Sequence, residues 1–99
     1  MQANGTVIAV TIVTVGAVSK TLEELFTAAS AVVDARTRMI SMRPLTDVSI
    51  AYGAAAEVAT TNIVDGDVWT EQAFAKGTDL RFIAGGDVAM TVVETGGGV

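Results

Sequence analysis

The chain contains no histidine and no cysteine, a single proline, and six lysine and arginine residues against eleven acidic ones. Each shortage excludes something. Without imidazole or thiol, any general acid, base or nucleophile has to be drawn from Asp, Glu, Lys, Tyr, Ser or Thr. Without cysteine no disulfide constrains the unfolded state, which fits synthesis in a reducing cytosol. A net charge of -5 repels phosphate backbones instead of releasing their counterions, so nucleic acid is not expected as a partner. Tryptophan and tyrosine occur once each, as Trp69 and Tyr52.

What the chain has is apolar surface. Of its 99 residues, 51% are hydrophobic and 17% charged, more apolar than an average soluble domain. A chain of this length builds one domain, here expected over residues 1–99, and buries roughly two-thirds of the surface it would expose unfolded. Surplus apolar surface on such a domain points to self-association or to docking on a larger assembly, unless Ala and Val simply fill a small core. The longest apolar run, Thr6 to Val18, is preceded by no lysine or arginine and is shorter than the roughly 20 residues a bilayer helix needs. Its β-branched residues and threonines predict a buried or partly buried strand, and no membrane segment.

The rest of the chain alternates. DVSIAY, DVWTEQAF, DLRFIA and DVAMTVVE are short period-two stretches separated by turn residues, the pattern of an antiparallel β-sandwich. The expected fold is mainly β: a small antiparallel sandwich, jelly-roll or Ig-like, of about 6–8 strands, with one short helix near residues 21–33. In that helix Leu22, Leu25, Phe26, Ala29, Val32 and Val33 recur at helical spacing, and Thr21 with Glu24 has the offset of a capping box. A strand starts near Arg36, with Ile40 and Met42 on the face of Arg38 and with Met39 and Ser41 on that of Arg43, and is ended or bent by Pro44. Val48, Ile50 and Tyr52 predict the next strand, and 54–61 a weak edge strand. Asp65-Gly66, Lys76-Gly77 and Gly85-Gly86 each predict a tight hairpin turn, and Val88, Met90 and Val92 share a face. A loose N-terminal arm (1–5) and a glycine-rich C-terminal tail (95–99) complete the expectation.

Few side chains suggest chemistry. Asp65, Asp67, Glu71, Asp79, Asp87 and Glu94 supply carboxylates enough for a hydrolytic pair, but they sit beside glycines or at strand starts, where solvated turn residues are ordinary. Asp65 and Asp67 also resemble a fragment of a calcium loop, without the glutamate that closes one. The glycine pairs precede no helix that would receive an anion. These residues predict no catalytic centre, no cofactor and no metal. Arg36, Arg38 and Arg43 concentrate positive charge on one strand, either as charge blocking an exposed sheet edge or as a seam meeting acidic residues of a neighbouring subunit. Trp69 is the other candidate anchor, since a large aromatic fills a core, docks a partner or stacks on a sugar. Arg36, Arg38, Arg43 and Trp69 are therefore the expected partner contacts.

From Leu22 to Glu94 the chain resembles small tailed-phage virion proteins of β-sandwich type. An early Thr-rich strand is followed by a Leu-containing turn or short helix, the Arg-led strand RTRMISMR, the hairpin-like DVSIAYG, the polar strand DVWTEQAF and the closing pair DLRFIAGGDVAMTVVE. The likeness lies in pattern and turn placement. One departure is Pro44-Leu45-Thr46-Asp47, where such chains often turn on Asn-Gly. The resemblance implies a capsid decoration or cement protein, made in the host cytoplasm and placed on the virion exterior. It implies the major capsid protein as partner and a homo-oligomer, with a trimer favoured. A neck, tail or fibre-attachment component is the alternative within virions. A carbohydrate-binding module using Trp69 or Tyr52 and a small carboxylate hydrolase using Asp65 and Asp67 are the alternatives outside them.

Overall fold

The computed structural model describes residues 7–52, 62–73 and 80–96. The expected N-terminal arm, the weak strand at 54–61 and the Lys76-Gly77 turn lie outside them. The chain runs β1 (Val7–Val15), β2 (Lys20–Thr21), α1 (Leu22–Ala28), β3 (Thr37–Pro44), β4 (Val48–Tyr52), β5 (Asn62–Val64), β6 (Thr70–Ala73), β7 (Leu80–Ile83) and β8 (Val88–Gly96). Two four-stranded antiparallel sheets result, in the orders β1-β8-β3-β6 and β2-β7-β4-β5. That pair of orders is the eight-stranded jelly roll, so the sandwich expected from the alternating pattern takes this form and not the Ig-like one.

Period-two alternation builds the core. Val13 and Val15 of β1, Ile40 and Met42 of β3, and Val88, Met90 and Val92 of β8 turn inward from one sheet. Val48 and Ile50 of β4, Val64 of β5, and Leu80 and Phe82 of β7 meet them from the other. Leu22, Leu25 and Phe26 on one face of α1 complete the cluster beside β1 and β7. Among the described residues, Phe26 and Phe82 are the largest side chains with no solvent exposure. Among the described residues no helix is long and apolar enough to cross a membrane.

The helix begins where the capping box predicts. Thr21 accepts from the Glu24 backbone N–H at 3.1 Å, and Glu24 accepts from the Thr21 backbone N–H at 2.9 Å. It ends early, at Ala28 and not near Val33. Ser30 adopts a left-handed backbone with φ 59, and the Ala31 N–H turns back onto the Phe26 carbonyl, so Val32 swings into solvent.

Two turns read as hairpins are sheet crossings. Asp65-Gly66 leaves β5 in one sheet and leads to β6 in the other, and Gly85-Gly86 leads from β7 to β8 in the same manner. At the first crossing Asp67 takes φ 60, and Gly66 passes so close to the 46–47 backbone that an added Cβ would stand 2.6 Å from Thr46 Cα. The glycine is required by close approach, not by hairpin geometry. The start of the expected glycine-rich tail is strand, since Thr95 is buried and Gly96 pairs with Thr37.

Candidate partner-contact face

The outward side of the β1-β8-β3-β6 sheet is unusually apolar for a face turned to water. Register fixes its rows. Val10 stands opposite Val93, which stands opposite Ser41, itself opposite Glu71 of β6. Ile12 stands opposite Thr91, and Thr91 opposite Arg43. Thr14 stands opposite Ala89, and the Leu45 N–H donates to the Ala89 carbonyl at 2.9 Å, continuing the ladder one residue beyond Pro44. Val10, Ile12 and Leu45 on this face are 61%, 65% and 66% exposed.

One end of the sandwich extends the same surface. The Asp67 N–H donates to the Pro44 carbonyl, the Gly66 N–H donates to Asp47 Oδ1 at 2.7 Å, and Arg43 Nε donates to Asp67 Oδ1 at 3.1 Å. These bonds lock the 44–47 and 65–69 loops together. Locked in this way, the loop pair holds Val68 and Trp69 outside the core, the latter 43% exposed. Since Thr70 is paired with Met42, continuing that register by one residue sets Trp69 beside Arg43. A tryptophan fixed at both flanks and left half exposed is an anchor that costs little entropy to use.

The four residues expected from the sequence therefore separate into two pairs. Arg43 and Trp69 share the loop-pair end. Arg36 and Arg38 lie at the other end of β3, where Arg36 is bound to Asp34 through Nε at 3.0 Å and Arg38 donates to the carbonyls of Ala35 and Thr37. The Arg36 guanidinium, followed by its backbone N–H, holds the Asp34 carboxyl at about 2, below its ordinary 3.8. β3 is also an interior strand, bonded to β8 and β6 on its two sides, so charge on it does not guard a sheet edge. The expected alternation breaks at Arg38, because the β3–β8 register shifts between Thr37 and Met39.

Two carboxylates depart from the turn-residue reading. Glu94 is almost wholly buried, accepting at Oε2 from the Thr37 hydroxyl at 2.7 Å and from the Asp34 N–H at 2.8 Å. Asp67 is bound to Arg43. Among the described residues no group of three or more His, Cys, Asp or Glu is placed to hold a metal ion. On the outer side of the second sheet a shallow depression of about 280 Å³ opens between Ile63, Ser49 and Ile83.

The residues sequence reasoning missed are Val10, Ile12, Leu45 and Val68. The signal for β1 lay in its alternation, in which Val10 and Ile12 occupy the face opposite Val13 and Val15. The chain matches no family model, no curated protein and no solved structure.

Proposed function

We propose that this protein is a non-catalytic structural subunit of a tailed-phage particle, a decoration or cement protein that docks on the major capsid protein at the outer capsid surface. The observation that carries the reading is the set of exposed large apolar side chains Val10, Ile12, Leu45, Val68 and Trp69, on the outward side of one sheet and the loop pair at its end. Around these side chains the charges are one closed ion pair, Arg43 with Asp67, and Glu71 on the β6 edge, so the apolar part suits burial against another protein. The pattern resemblance from Leu22 to Glu94 names the kind of partner. The jelly-roll topology agrees with it by analogy alone, since that fold serves viral capsid and lectin domains alike.

A cement protein acts by mass action. Whatever binds the expanded, assembled shell and not its precursors favours the assembled state, without any bond being made or broken. Acidity suits a place away from packaged DNA. The resemblance adds a homo-oligomer that rivets neighbouring capsid subunits.

Mass spectrometry of purified particles tests the reading. Hundreds of copies per particle support decoration, about a dozen or fewer support the neck, tail or fibre-attachment alternative, and none refutes both. Particles without the protein are expected to release their genome at lower temperature, and Trp69→Ala is expected to weaken binding to emptied capsids. Equal heat resistance with and without the protein would refute the cementing role. The half-exposed Trp69 favours one further reading, a carbohydrate-binding module. Glycan-array binding lost in Trp69→Ala would establish it.

A further inference from the structure

Three of the four sheet edges among the described residues are short. β2 has two residues, β5 has three, and β6 has four, including the charged Glu71. The fourth edge is β1, nine residues reading VIAVTIVTV, with β8 on one side and no described strand on the other. It has no charge, no proline and no brevity to blunt it, and the one irregularity in its pairing with β8 is the register shift between Val7 and Ala9, outside the stretch from Val10 to Val15. Exposure is concentrated in its first part, where Val7, Val10 and Ile12 face solvent, while Val13 and Val15 are buried with the apolar side of α1.

We propose that a second copy of this chain covers this edge. β1 pairs antiparallel with β1 of its partner about a two-fold axis at Thr11, joining two four-stranded sheets into one of eight strands. An unpaired ladder is completed by another strand, because its free N–H and C=O groups lie in a row that only extended backbone matches. The strand carries no charged residue, so it meets its own copy without like charges opposed across the ladder, and the repulsion between two chains of net charge -5 is screened by salt. Reciprocity fixes the register: an axis at Thr11 sets Val10 of each copy opposite Ile12 of the other, so the two most exposed side chains of the strand cover one another. A nine-residue edge is about 30 Å long. An edge-to-edge contact of that length belongs with the small interfaces, under about 1,200 Å² in total, so association is expected to be concentration-dependent.

Nothing here depends on the capsid reading, since the purified chain suffices for the test. Sedimentation equilibrium from micromolar to millimolar concentration is expected to show the 10.1 kDa chain passing to twice its mass. Ile12→Lys is expected to raise the dimer dissociation constant at least tenfold, and Ile12→Thr, which keeps a β-branched side chain, to raise it less. Ile12 is exposed in the monomer, and circular dichroism checks that each variant is folded. The chain has no cysteine, so Thr11→Cys reports this contact alone and is expected to yield a disulfide-linked dimer under mild oxidation. Four results would overturn the proposal: a monomer at every concentration, which leaves the edge to the chain's own segments or to another protein; a trimer; a dimer indifferent to Ile12→Lys; or a Thr11→Cys chain that does not cross-link.

Discussion

The Thr37 hydroxyl donates a 2.7 Å hydrogen bond to Glu94 Oε2, and both side chains are buried. The same oxygen takes the Asp34 N–H, so one carboxylate ties the chain entering β3 to the middle of its sheet. Thr37→Val removes a donor from a buried acceptor and is expected to cost about 1–3 kcal/mol. Thr37→Ser keeps the hydroxyl and loses one methyl group, roughly 1 kcal/mol. Urea denaturation of the two variants checks the order. A Thr37→Val protein as stable as the parent would mean that the hydrogen bond contributes nothing.

Thr21 caps a helix of seven residues, too short to persist without help. Thr21→Ala leaves the Glu24 N–H without its acceptor and is expected to destabilise the fold by about 1 kcal/mol. Thr21→Asp preserves the cap and is expected to stay within a few tenths of a kcal/mol of the parent. The denaturation midpoint at constant m-value is the measurement.

Gly66 and Gly85 make a matched pair. A Cβ at Gly66 meets Thr46 backbone atoms at 2.6 and 2.8 Å, while one at Gly85 meets nothing within 4 Å. Gly66→Ala is expected to lose about 1–3 kcal/mol as the two loops are forced apart. Gly85→Ala is expected to gain about 0.4–1 kcal/mol by restricting the unfolded chain. Thermal melts of both proteins give the signs directly.

Asp34 ionises at about 2 in the folded chain, against an ordinary 3.8. A depressed carboxylate contributes stability that is complete above roughly pH 4 and is lost as pH falls towards the folded value. Arg36→Met removes the largest cause and leaves the Arg36-position N–H in place, so the Asp34 midpoint should rise part of the way back. Carboxyl-carbon NMR titration reads that midpoint. The pair is exposed, so high salt should narrow the difference between the two proteins. An unchanged midpoint in Arg36→Met would assign the depression to the backbone alone.

Local signals carried well into the fold where the relevant partner was local. Thr21 and Glu24 marked the helix start three residues apart, and alternation gave the inward faces of β3, β4, β7 and β8. The helix end depended on Ser30 entering a left-handed conformation, which a serine does not announce. Asp65-Gly66 and Gly85-Gly86 announced that the chain turns, but which sheet receives the next strand is decided by pairings with β1 and β3 far away in sequence. Glu94 had a signal that went unused: it continues the parity of Val88, Met90 and Val92, and so points inward. The contact face was half legible, through Arg43 and Trp69. Leu45 and Val68 acquired meaning only when the two loops carrying them were found bonded together.

Every described connection except β4 to β5 carries the chain from one sheet to the other, and β8, the last strand, lies between β1 and β3. Neither neighbour can complete its ladder until β8 is in place. Folding is therefore slow for so small a chain, because its pairings join distant residues. A chain cut before Val88 would leave β1 and β3 each open on the side β8 holds, two rows of unsatisfied backbone groups ready to capture a foreign strand.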